Sequence, residues 1–200
     1  VGAPTAYGWA PVSAAQLVPC SFEVHASAVP VAQTTAAPTV DLSTGVANWV
    51  LTRDHGRFRA GRAPTTAGHS AWFKAQAPAK WLGSAGGDWP PGDTTFELRF
   101  EVQDATAAHL ELPYAADNGL KAAALNGHPL GIGRSQGFKT FGGASVIRAE
   151  GAAQFINGVN VLQVTVHNGG TTNNPMGFYA KGAATVGRAQ MGRPTYAQQG

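Results

Sequence analysis

The chain has 200 residues, of which 44% are hydrophobic and only 12% charged, with 26 glycines, 13 prolines and a formal net charge of +3. That length suits one domain with a sizeable core, and the balance suits short strands joined by many turns better than helices. No apolar run is long enough to cross a bilayer as a helix, and the single cysteine excludes an internal disulfide framework or a cysteine-rich zinc site.

Residues 1 to 40 stand apart. They are rich in Ala, Pro, Thr and Val, hold no Lys or Arg, and carry one acid, Glu23. Prolines recur at Pro4, Pro11, Pro19, Pro30 and Pro38, so the segment favours extended geometry and cannot form a core of its own. It reads as an N-terminal arm. Within it, Cys20-Ser21-Phe22-Glu23-Val24 alternates, placing Cys20, Phe22 and Val24 on one face. Tyr7 and Trp9 are further apolar anchors without a local core. No basic segment followed by an apolar one opens the chain at Val1, so any secretory signal is expected to have been removed already.

The globular pattern is expected over 41–186. Trp49-Val50-Leu51 reads as a first core strand. Arg53 to Gly68 reads as a basic, Gly-containing loop, and its arginines Arg53, Arg57, Arg59 and Arg62 as a solvated cluster able to touch an acidic polymer. No recognisable module with interleaved aromatics accompanies them, so nucleic acid is not the expected partner. Ala71-Trp72-Phe73 and Lys80-Trp81-Leu82 are short apolar runs. Ser84 to Asp93 reads as a loop that exposes Trp89 between Asp88 and Pro90. From Thr95 the alternation is unbroken: Phe96, Leu98, Phe100 and Val102 on one face, Glu97, Arg99 and Glu101 on the other. Ala108 to Leu112 and Leu162 to Asn168 alternate in the same way, and period two marks half-buried strands. Asn-Gly pairs at 118–119, 126–127, 157–158 and 168–169 supply the positive φ of tight turns. Phe178 to Val186 closes the domain, and 187–200 is a polar tail with Arg188 and Arg193 but no acid. The pattern predicts an all-β, two-sheet antiparallel sandwich with hardly any helix. Phe96, Leu98, Phe100, Leu110, Leu112, Leu162, Val164 and Val166 should form its core.

Several pieces occur in a fixed order: Trp81-Leu82 ahead of a Pro-Gly loop, the Phe96–Val102 strand, Ala115-Ala116-Asp117-Asn118, and Leu125-Asn126-Gly127. Phe155-Ile156-Asn157-Gly158-Val159-Asn160-Val161-Leu162, Val166-His167-Asn168 and Asn174-Pro175-Met176-Gly177-Phe178 follow. Residues 41 to 186 thereby resemble the galactose-binding-like β-sandwich (jelly-roll) domains of secreted bacterial proteins. The resemblance implies a two-sheet sandwich in an extracellular setting and leaves the ligand open, because function lives in sites grafted on such folds.

Catalysis finds no support. Gly68-His69-Ser70-Ala71-Trp72 departs from a nucleophile elbow at Trp72 and lacks the strand-to-helix context. The six histidines are scattered without metal-ligand spacing. Glu97, Glu101 and Glu111 read as a solvated sheet face rather than paired catalytic acids. Asp117-Asn118 is a rim turn whose side chains bond nearby backbone, or alternatively hold calcium or a sugar. Calcium is the one cofactor the residues leave open. Buried amides at Asn160, Asn168 and Asn174 are expected to tie loops to the sandwich.

Two functions from different classes follow. The first is a non-catalytic structural subunit that self-assembles into a filament or matrix, its arm adding a strand to a neighbouring copy through Tyr7, Trp9, Cys20, Phe22 and Val24. The second is a carbohydrate-binding module of a secreted protein that grips polysaccharide through Trp89, Asp117 and Asn118.

Overall fold

The computed structural model of the chain describes residues 36–54 and 57–189, with the side chains of 57–60 and 87–88 left aside. The assembly residues Tyr7, Trp9, Cys20, Phe22 and Val24, and the end of the polar tail, lie outside the described residues.

The long central strands form where the sequence alternates. In chain order they are β1 (Thr39–Asp41), β2 (Val50–Asp54), β3 (Arg57–Arg62), β4 (Thr65–Thr66), β5 (Trp81–Trp89), β6 (Gly92–Val102) and β7 (His109–Asp117). Then follow β8 (Gly119–Leu125), β9 (His128–Pro129), β10 (Val146–Glu150), β11 (Gly158–Asn168), β12 (Asn174–Ala180) and β13 (Ala183–Thr185). All pairings are antiparallel and fall into two sheets. One runs β1-β13-β7-β12-β5-β4, with β10 on the other side of β7; the second runs β3-β2-β6-β11-β8-β9. This is the two-sheet antiparallel sandwich that the alternation predicts and the resemblance implies. Among the described residues there is no helix long and apolar enough to cross a membrane.

The inner faces meet in one core. Phe96, Leu98, Phe100, Leu162, Val164 and Val166 from one sheet pack with Leu110, Leu112, Tyr114 and Phe178 from the other, and every one is buried. All eight side chains expected in the core are there. Each such burial stabilises by roughly 1.5–3 kcal/mol. Trp49 packs edge-on against Phe178, ring centroids 5.7 Å apart, and its indole N–H donates to the Leu42 carbonyl at 3.0 Å. The Asn126-Gly127 turn between β8 and β9 has φ of 53° and 82°, the paired positive values that make this dipeptide the preferred two-residue hairpin turn.

The two sheets differ on their outer faces. On the first sheet, loop residues Trp72, Phe73, Phe138 and Phe141 cover Trp81, Ala115 and Tyr179 and build a second, smaller aromatic core. Its rings touch closely: Trp72–Trp81 at 4.6 Å, Phe141–Tyr179 at 5.0 Å and Phe73–Phe141 at 5.3 Å between centroids. The second sheet carries no such cover among the described residues.

Three sequence expectations need correction. Arg53 to Gly68 is not a loop but contains β3 and β4. Arg57, Arg59 and Arg62 belong to the edge strand β3, where charge blunts further pairing, while Arg53 lies on β2 beside it. Ser84 to Asp93 is likewise mostly strand: β5 runs to Trp89 and β6 begins at Gly92. Just ahead of this stretch, a glycine in β5 marks close backbone approach. At Gly83 (φ 115°) an added Cβ would lie 2.2 Å from the Met176 carbonyl oxygen. Finally, Glu97 lies on the outward side of β6 but is buried, whereas Glu101 and Glu111 are exposed as expected.

Candidate functional site

The open face can be written row by row from the register, since residues opposite one another on adjacent strands share a face. One row is Asp93–His167–Gly119 across β6, β11 and β8. The next is Arg53–Thr95–Thr165–Ala122, and the third is Arg62–Val50–Glu97–Gln163–Ala124. Arg99 and Val161 begin a fourth. Thr52, Arg53, Thr95, Glu97, Arg99, Gln163 and Thr165 wall a groove of about 390 Å³ whose floor on β8 is alanine, Ala122 to Ala124. The alanines matter as much as the polar groups: larger side chains there would fill the hollow.

The groove's polar groups are already positioned by one another. Glu97 accepts from Arg99 Nε at 2.9 Å and from Gln163 Nε2 at 3.1 Å. The hydroxyls of Thr95 and Thr165 are hydrogen-bonded at 3.1 Å, and Thr52 Oγ1 donates to the Thr95 carbonyl at 3.2 Å. Beyond them, at the rim, Asp93 bonds Lys121 through one oxygen and His167 Nδ1 through the other, the latter at 2.8 Å. The hydrogen bond from Lys121, then that from His167, holds the Asp93 carboxyl below the usual carboxylate range. A second hollow of about 440 Å³ opens at this end between Asn118, Gly119, Leu120, Lys121 and His167.

The sugar-binding residues expected from sequence are only partly brought together. Asn118 is exposed at the rim hollow, its side-chain oxygen accepting from the Gly169 N–H at 2.5 Å and its own N–H donating to the His167 carbonyl at 3.1 Å. Asp117, the preceding residue, turns the opposite way. Its side chain is buried against the second aromatic core, where Oδ2 accepts from Trp72 Nε1 at 2.7 Å. Burial pushes its carboxyl above the usual range, against the opposing effects of the Trp72 bond and nearby His69. A carboxylate so enclosed is not presented to a polymer at the rim. Trp89 is half-buried against the main core rather than exposed, and its indole N–H is spent on Thr94 Oγ1 at 3.0 Å. The cause is the pairing of Trp89 with Asn174, which extends β5 further than a Gly- and Pro-rich stretch suggests. Among the described residues no three His, Cys, Asp or Glu side chains converge to hold a metal ion.

The expected amide ties are present. Asn168, fully buried, donates to the carbonyls of Trp89 and Pro90 at 3.0 and 3.1 Å, locking that turn to the end of β11. Asn174 donates to the carbonyls of Gly169 and Thr172 at 2.9 and 3.0 Å. Thr52, Gln163, Thr165 and the β8 alanines are the groove residues that sequence reading passed over, whereas Arg53 stood in the arginine cluster expected to touch an acidic polymer. The signal was the outward half of the same alternation, Thr95-x-Glu97-x-Arg99 and Gln163-x-Thr165-x-His167.

No protein-family model matches the chain, and no curated protein matches it. Among solved structures, it is similar to a CBM35 from Cellvibrio japonicus Abf62, at 12% identity and a TM-score of 0.42 over 78% of this chain and 100% of that one. It is also similar to an FMN-binding beta-glucuronidase from Facaelibacterium prausnitzii L2-6, at 18% identity and a TM-score of 0.40, covering 74% of this chain and 23% of that one. These likenesses are of general architecture and carry no argument about ligand or activity.

Proposed function

We propose that this sandwich is a non-catalytic carbohydrate-binding module of a secreted protein, with its polysaccharide ligand lying in the groove across the open face of the second sheet. The observation that carries this reading is the groove itself: hydroxyl, amide, carboxylate and guanidinium groups line a hollow of about 390 Å³ over an alanine floor. Its size is that of a small-ligand site, within the roughly 300–1,000 Å³ usual for such pockets. Its lining contains no aromatic or large aliphatic side chain, and those are what the core of a protein–protein interface favours. A hydroxyl-rich ligand instead satisfies donors and acceptors that a dry partner would strand.

The carboxylates on this face are spaced for binding and not for glycoside hydrolysis. Asp93, Glu97 and Glu101 are each four residues apart on β6, or roughly 13 Å at strand rise. Paired catalytic acids lie about 5–9.5 Å apart. Self-assembly through strand addition draws no support from the described residues. The outer strands β4 and β9 are two residues long, β9 contains Pro129, β1 is three residues long, β3 is arginine-rich, and β10 carries exposed Arg148 and Glu150 and is already bridged at Arg148 by Gly131. Short, charged or Pro-bearing edges discourage pairing with another chain.

The test is affinity electrophoresis of the full chain in gels containing soluble polysaccharides, beside Ala122→Tyr. Ala122 is exposed, and tyrosine suits a strand surface, so this variant should fold and fill the groove. Retardation by at least one polysaccharide that Ala122→Tyr abolishes is the expected result. Equal retardation of both proteins, or none across the panel, overturns the reading.

A further inference from the structure

The charges on the open face are unevenly spent. Its two groove-side carboxylates already have cations of their own: Glu97 is held by Arg99 and Asp93 by Lys121, with His167 hydrogen-bonded to the other Asp93 oxygen. Glu101 lies at the far end of β6, outside the groove lining. Arg53 and Arg62 have no acidic partner among the described residues. Both are exposed. Arg53 lines the groove beside Thr95, and Arg62 lies in the neighbouring row through Val50 and Glu97. Adjacent rows and strands put their backbones within about 10 Å of one another. Two guanidinium groups without an acidic partner among the described residues, beside a groove whose own acids are neutralised, present fork-shaped donors that match an anionic oxygen pair.

We propose that the groove's ligand is an acidic polysaccharide, with its anionic groups received by Arg53 and Arg62 while the threonines, Gln163 and the Glu97–Arg99 pair meet its hydroxyls. The inference rests on the carbohydrate-binding reading and adds the class of polymer. The anion is a carboxylate or a sulfate, which share this chemistry.

The full chain is titrated with polygalacturonate (carboxylate), chondroitin sulfate (carboxylate and sulfate) and a neutral galactomannan, at low and at high salt. The proteins compared are the parent, Arg53→Gln/Arg62→Gln, and the charge-matched control Lys74→Gln/Lys80→Gln, whose lysines are exposed at a different hollow beside β4. Circular dichroism confirms that each is folded. The expected result is binding of one or both acidic polymers, weakened by salt because the charges are exposed. The arginine pair variant should lose at least about tenfold in affinity, the size of one lost charge-assisted bond, and the lysine control should keep it. Polygalacturonate binding identifies carboxylate as sufficient; binding of chondroitin sulfate alone identifies sulfate. An equal loss in the lysine control overturns the inference, since net charge alone then explains the attraction. Galactomannan binding that the arginine variant leaves intact also overturns it, while leaving the carbohydrate-binding reading standing. No binding of any polymer removes both.

Discussion

Asn160 is the side chain whose replacement tests the account of the sandwich most sharply. It is fully buried at the start of β11 and makes four hydrogen bonds. Its oxygen accepts from Asn126 Nδ2 at 2.8 Å and from the Ile156 N–H at 3.0 Å. Its amide nitrogen donates to the Ile156 carbonyl at 2.7 Å and the Gly158 carbonyl at 3.0 Å. Asn126 in turn accepts from the Val161 N–H at 2.9 Å and donates to the Gln154 carbonyl at 3.0 Å, so one amide pair fixes two turns. Asn160→Leu keeps the branching at Cγ, adds some bulk and removes all four bonds. Each buried partner left unsatisfied costs about 1–3 kcal/mol. Ile156 and Gly158 are exposed as residues, so water recovers part of this, and a net loss of ~3–5 kcal/mol follows. For a domain this size each kcal/mol moves the midpoint by roughly 2–4 °C, so thermal unfolding should come about 10 °C earlier. Asn160→Asp should be worse than its size suggests, because an oxygen would face the Ile156 and Gly158 carbonyls. Differential scanning calorimetry of both variants is the assay. A change below about 1 kcal/mol for Asn160→Leu, the scale of an ordinary surface substitution or less, would refute the reasoning.

Two further outcomes follow from the structure. Gly83→Ala should destabilise by well over the roughly 1 kcal/mol that such a change gains at a compatible site, because the new Cβ would meet the Met176 carbonyl in the β5–β12 pair; urea unfolding measures it. Asp117 has its folded-state carboxyl raised by burial, so the native state binds that proton more tightly than the unfolded chain. Its contribution to stability is therefore fully present below the unfolded value and is lost as pH rises through the folded one. Asp117→Asn keeps an oxygen acceptor for Trp72 and removes the ionisation. It should be more stable than the parent near neutrality, with the difference shrinking as pH falls to about 4, and melting curves across that range check the sign.

The sandwich was legible because its core strands have one wet and one dry face. Phe96 to Val102 and Leu162 to Asn168 announce their period, and the Asn-Gly pairs punctuate them. The strands that were missed are those whose residues are chosen for a neighbour's backbone or for an edge. β5 runs on through Gly86 and Gly87 to the Trp89–Asn174 pair, and β3 carries its arginines at the edge of its sheet. Composition alone makes both look like loops. The groove was half legible: Glu97, Arg99, Gln163 and Thr165 stand in the alternation, but their convergence with Arg53 and the β8 alanines depends on strand order, which no local pattern encodes. Trp89 and Asp117 were attractive because aromatic and acidic residues beside turns suit sugar contacts. Burial decides otherwise, through the extension of β5 and the cover that Trp72 lays over the first sheet.

The central claim is that the open face of the second sheet holds the ligand. A backbone amide NMR titration of the isotopically labelled chain with an oligosaccharide fragment of whichever polymer retards it most directly tests that claim. The account predicts shifts concentrated on Thr95, Glu97, Arg99, Ala122, Gln163 and Thr165, with the amides around Trp72, Trp81 and Tyr179 unmoved. Shifts confined to the covered face of the first sheet, or to the Trp89 turn without the groove, would contradict it.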